Sequence, residues 1–85
     1  MDFAKGDVVV SLAGRDKGSL LVVTGVENGF VLVCDGKERP VERPKSKNIR
    51  HVESLGISLD ESEMQTNRML KKALGRLNAE INGNT

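Results

Sequence analysis

The chain has 85 residues, which limits it to one small domain with a modest core. Thirteen Lys and Arg stand against twelve Asp and Glu, a formal charge of +1 that points neither toward nor away from a polyanion, so the distribution of charge must decide. The single Cys34 excludes an internal disulfide and makes no metal site alone, and the longest apolar runs, Leu20–Val23 and Phe30–Cys34, are far too short to span a bilayer.

No leader-like segment opens the chain, and a cytoplasmic protein with no membrane association is expected. In chain order, Val8, Val9 and Val10 lead into Ser11 and Leu12 as a β-branched strand without a helix cap. Leu20 to Val26 and Phe30 to Cys34 are further strands, apolar on nearly every residue, as in a closed sheet packed on itself. Between them Asn28-Gly29 predicts a hairpin with a type I′ turn, and Asp35-Gly36 supplies a second turn of the same chemistry. Glu38-Arg39-Pro40-Val41-Glu42-Arg43-Pro44 contains a four-residue echo whose prolines would blank one side of an edge strand. Asn48 to Val52 gives a short last strand with Ile49 or Val52 in the core. Short strands at this spacing predict a small antiparallel β-barrel over residues 1–56.

Residues 57–85 change periodicity. Ser58-Leu59-Asp60-Glu61 has the form of a capping box with Ser58 as N-cap, and Leu70, Ala73, Leu74, Leu77 and Ile81 share one face of a helix expected from Leu59 to about Ile81. Asp60, Glu61 and Glu63 suit its positive end, and Arg68, Lys71, Lys72 and Arg76 its negative end. Gly75 falls on the solvent side, and Asn82-Gly83-Asn84 stops the helix. Such a helix would be about 35 Å long at 1.5 Å per residue, more than a barrel of this size covers, which leaves open whether its stripe packs on the barrel or on a partner.

Charge is local. Lys37 to Arg50 carries six cations against Glu38 and Glu42, a local net of +4, and Arg15 and Lys17 add two more in the loop Ala13–Gly18. Arg68, Lys72 and Arg76 form a stripe opposite the apolar one on the helix. Cations flanked by Gly and Pro suit phosphate contact, although a mixed-charge solvated surface explains the same composition. Gly14 to Gly18 is not a P-loop: three residues intervene where four are needed, and a strand follows. Cys34 at a strand end reads as a structural thiol and His51 as structural or exposed, so no catalytic residue, metal ligand or cofactor is expected. Trp and Tyr are absent, and Phe3 and Phe30 are both expected in the core, which argues against base stacking and against proline-peptide grooves.

Lys5-Gly6-Asp7-Val8-Val9-Val10, then Gly14-Arg15-Asp16-Lys17-Gly18, Leu21-Val22-Val23 and Phe30-Val31-Leu32-Val33 resemble the KOW motif. Asp35-Gly36, Arg39-Pro40-Val41-Glu42-Arg43-Pro44-Lys45, Asn48-Ile49 and His51-Val52 look like its continuation in KOW-domain large-subunit ribosomal proteins of archaea and eukaryotes. The resemblance covers about residues 3 to 53 and implies an SH3-like barrel that binds RNA, as bacterial KOW-domain proteins do. Carried over by position, Arg15, Lys17 and Gly18 in the first loop and Arg39, Arg43, Lys45 and Lys47 on the basic segment face the RNA, and Arg50 joins them as a neighbouring cation. The overall expectation is a mainly β protein: an SH3-like (KOW) antiparallel barrel followed by one C-terminal amphipathic α-helix. It would be a non-enzymatic, ribosome-associated RNA-binding protein whose partner is structured RNA, above all rRNA. The alternative is a protein–protein adaptor that docks or self-associates through the helix. The chain departs from ribosomal relatives in its near-neutral charge, which favours accessory rather than constitutive association.

Overall fold

The valine-rich runs bury both of their faces, and that property organises the fold. The computed structural model describes residues 2–83. Its elements are β1 (Asp7–Ser11), β2 (Leu20–Glu27), β3 (Phe30–Cys34), β4 (Lys45–Asn48), β5 (Val52–Ser58) and α1 (Asn67–Asn82), with 3-10 turns at Ile49–His51 and Glu61–Met64. The strands form one antiparallel sheet in the order β4-β3-β2-β1-β5. Side chains alternate across a strand. Val9, Leu21, Val23, Val31, Val33 and Val52 therefore gather with Phe3 on one face. Val8, Val22 and Cys34, aligned by the Val8–Val22 and Val22–Cys34 pairings, gather on the other. The two edge strands are consecutive in sequence and joined by three residues of 3-10 turn, so the sheet curls until its edges approach at that end. Among the described residues the ladders pair β4 with β3 and β5 with β1.

Helix α1 covers the second face. Leu70, Ala73, Leu74 and Leu77 are buried with Leu59 and Met64 against Val8, Val22 and Cys34. Each fully buried leucine contributes about 1.5–3 kcal/mol relative to exposure. The near-continuous apolar runs follow from this: one face makes the curled interior and the other receives the helix. The apolar stripe thus packs within the chain, except Ile81, which is half exposed.

Several expectations are corrected. The helix begins at Asn67 rather than Leu59, because β5 continues to Ser58, where the hydroxyl donates to Asp7 Oδ1 at 3.1 Å. The Leu59 amide then donates to the Gly6 carbonyl, which holds the chain extended. The Glu63 carboxylate accepts from the Asp60 amide, so the reciprocal cap forms two residues later than expected and serves only a 3-10 turn. Thr66 caps α1, its hydroxyl accepting from the Met69 amide at 3.1 Å. A helix of 16 residues is about 24 Å long, which removes the mismatch with the sheet. It ends at Asn82, and Asn84 lies outside the described residues.

Residues 38–44 form no strand. The Arg43 amide donates to the Pro40 carbonyl in a turn, and β4 starts only after Pro44. The expected strand at Asn48–Val52 is instead a 3-10 turn capped by the Asn48 side chain, followed by β5. At the Asn28-Gly29 hairpin only Gly29 has positive φ (+75°), so the turn is not type I′, which needs positive φ at both positions. Gly36 (φ +80°) lies so close under α1 that a Cβ there would collide with the Asn67 carbonyl oxygen. Phe30 is 43% exposed at the hairpin end, so only Phe3 is a core aromatic and the Phe30 ring is open to a stacking partner.

Candidate functional site

The loop between β1 and β2 is built from its own backbone. The Ser19 amide donates to Asp16, Lys17 to Gly14 and Gly18 to Ser11, which folds residues 11–19 into two tight turns. Within it, Asp16 is the organising side chain. Its Oδ1 lies 2.8 Å from the buried Ser11 hydroxyl and accepts from Lys47 Nζ at 3.0 Å; Lys47 also donates to the Ala13 carbonyl at 3.0 Å. Lys47 sits on the inward face of β4 and is only 6% exposed. Lys45, two residues earlier on the same face, approaches Asp16 Oδ2 at 4.0 Å. Burial alone would push the Asp16 carboxyl up. The hydrogen bonds from Ser11 and Lys47, and the charges of Lys47 and Lys45, outweigh it and hold the group below its ordinary value.

Lys47 is therefore withdrawn from the surface a phosphate reaches, because its ammonium is enclosed and already bonded to protein oxygens. Lys45 is half-buried and leans on the same carboxylate. The remaining sequence candidates stand on the surface: Arg15, Lys17, Arg39, Arg43 and Arg50 are exposed, and none forms an ion pair within 4 Å among the described residues. Gly18 is exposed and has positive φ (+90°), which keeps the loop crest free of side chain.

Two of the expected segments meet. A groove of about 440 Å³ is lined by Arg15 and Asp16 from the first loop and by Asp35, Glu38, Arg39 and Lys45 from the basic segment, with Leu21 and Ser19 on its floor and wall. Charges lining it balance in number, three on each side. Their disposition differs: Asp16 faces Lys47, Asp35 Oδ1 accepts from the Lys37 and Arg39 amides at 2.9 Å, which shapes the loop, and Glu38 forms no ion pair within 4 Å among the described residues. Lys17, Arg43 and Arg50 do not line this groove. Glu42 pairs with no cation within 4 Å among the described residues; it accepts from the Asn67 side-chain amide at 2.9 and 3.1 Å, while Asn67 Oδ1 accepts from the Val41 amide. These bonds clamp the basic segment to the start of α1.

Sequence reasoning overlooked three features here. Lys37 and Lys71, left outside the selected set, face a second depression beside the first. Arg76, in the cationic stripe opposite the apolar face, is bonded to Glu63 at 3.0 Å. The Asp16–Lys47 pair joins residues 31 apart and has no local sequence signal. Cys34 is fully buried beneath α1, and burial, with Asp35 and Glu42 nearby, pushes its thiol up to about 11, so it is an inert core group at neutral pH. His51 is exposed. Among the described residues no three metal-ligating side chains gather, and no helix is long and apolar enough to cross a membrane. No family model matches the chain, and no curated protein matches it.

Proposed function

We propose that this is a non-enzymatic RNA-binding protein of the cytoplasm, a KOW-like domain on an SH3-like barrel that docks on structured RNA, with rRNA of the ribosome as its partner. The supporting observation is the convergence of Arg15, Arg39 and Lys45, from segments more than twenty residues apart, on one groove. Lys17, Arg43 and Arg50 stand exposed outside it. Unpaired guanidinium groups on short glycine- and proline-flanked loops are suited to phosphate oxygens, which fix position without reading sequence. Phe30 is the one exposed aromatic, a single position for base stacking, so recognition rests mainly on backbone shape and charge.

The rival reading, a protein–protein adaptor docking through the helix, is less well supported because Leu70, Ala73, Leu74 and Leu77 already cover the sheet. Only Met69 and Ile81 remain as exposed large apolar groups on α1. Co-sedimentation with ribosomes and separated subunits over a salt series tests the RNA reading. Binding should weaken by about 0.7–0.9 decades per decade of salt for each phosphate contact. Charge reversal at Arg15, Arg39 and Arg43 together should abolish it. Unchanged binding by that variant, or binding insensitive to salt, contradicts the proposal.

A further inference from the structure

The first groove does not end at the basic segment. A second depression of about 390 Å³ shares Ser19 and Asp35 with it and reaches α1, where Lys71, Gly75 and Asn78 line it; Lys37 lines it as well. The two clefts adjoin at Ser19 and Asp35, and together their lining forms a track from Arg15 in the first loop to Asn78 on the helix. Along it lie Arg15, Arg39, Lys45, Lys37 and Lys71 against Asp16, Asp35 and Glu38, an excess of two positive charges that the first groove alone lacks. Lys37 and Lys71 form no ion pair within 4 Å among the described residues.

Gly75 is the second clue. A glycine inside a helix costs about 1 kcal/mol relative to alanine. Packing does not require it, since a Cβ built there meets no atom within 4 Å among the described residues. Its effect is on the track: it leaves the helical wall bare between Lys71 and Asn78, one turn either side. A bare stretch flanked by an ammonium and an amide lets a sugar–phosphate strand lie close, with Lys71 on a phosphate and Asn78 donating to a phosphate or ribose oxygen.

The geometry points to α1 as a second RNA-contacting element: Lys71, Gly75 and Asn78 extend the loop groove into a continuous seat for an RNA backbone. This deepens the RNA-binding reading and rests on it. The helix therefore has two faces with separate duties, one closing the core and the other lining the track.

The test uses the full chain and a fluorescein-labelled RNA stem–loop, with affinity read by anisotropy over a potassium chloride series. Lys71→Glu and Gly75→Glu alter the track; Lys72→Glu makes a like change on the same helix outside it; Arg39→Glu alters the first groove. Loss of one contact should weaken binding about five- to eightfold at ~0.1 M salt, following 0.7–0.9 decades per contact. Lys71→Glu should lose at least that and lower the salt slope by about one, whereas Lys72→Glu, separated from the track and screened, should lose less. Gly75→Glu should weaken binding although glutamate is the better helix former, so the loss is not explained by unfolding; melting curves confirm this. If Lys71→Glu and Gly75→Glu match Lys72→Glu while Arg39→Glu still weakens binding, the helical half of the track is overturned and the RNA reading stands. If the unaltered protein fails to bind at low salt, both fall.

Discussion

Asp16→Asn should destabilise the protein by about 2 kcal/mol. The substitution keeps shape and leaves an acceptor for the Ser11 hydroxyl, but removes the charge facing Lys47, whose ammonium lies 3.0 Å from Oδ1 and is 6% exposed. Removing one partner of a buried pair costs about 3–5 kcal/mol, because the other charge is stranded. Asp16 keeps a quarter of its side chain in solvent, so water compensates in part, which brings the figure to the strength of one charge-assisted hydrogen bond, about 1.5–3 kcal/mol. Urea denaturation reads this directly: with m about 1–2 kcal/mol/M, the midpoint falls by about 1–2 M. A double-mutant cycle with Lys47→Met should return a coupling of similar size. The same cycle with Lys45→Met should return under about 1 kcal/mol, since that pair is 4.0 Å apart and more exposed. A cost for Asp16→Asn within about 0.5 kcal/mol, or no coupling to Lys47, refutes the assignment of Lys47 to the scaffold.

The same carboxyl sets an acid response: its folded value lies below the ordinary 3.8, so its contribution is complete above that pH and is lost as pH falls through the folded value. Thermal melts between neutral pH and pH ~3 should show an acid limb that Asp16→Asn flattens. Gly75→Ala should raise stability by about 1 kcal/mol, or a melting temperature about 4–8 °C higher, because the added methyl meets no atom within 4 Å among the described residues. Gly36→Ala should do the reverse, by about 2 kcal/mol or more in urea titration, since its φ of +80° and the Asn67 carbonyl both exclude a Cβ. Cys34 should resist a thiol reagent at neutral pH until urea unfolds the chain, and rapid labelling of the folded protein would contradict its burial. Truncation after Gly56 should yield an aggregating product, because it strips Leu59, Met64, Leu70 and Leu74 from Val8, Val22 and Cys34; light scattering checks this.

Local chemistry carried much of the fold. The β-branched runs, the Asn28-Gly29 hairpin and the apolar spacing of Leu70, Ala73, Leu74 and Leu77 each identify an element by its own period. The errors fell where long-range pairing decides. Ser58-Leu59-Asp60-Glu61 is a sound capping box in isolation, and it loses to hydrogen bonds that tie β5 to β1 fifty residues away. Strands apolar on successive residues signalled burial on both sides, yet nothing local says which face takes the helix. At the site, loop cations were readable as types. Their fates were not, because Lys47 becomes a buried pair and Arg39 a groove wall through contacts with a loop thirty residues earlier or a turn set by Asp35. Lys71 and Lys72 are adjacent and chemically alike; only the helix's rotation on the sheet puts the first beside the groove.

Amide-shift mapping of isotopically labelled protein titrated with the RNA stem–loop tests the central claim most directly. The account predicts perturbations concentrated at residues 14–19, 37–45 and 71–78. Shifts confined to the far margin around Ser54 and Gly56, or none at all at low salt, would contradict it.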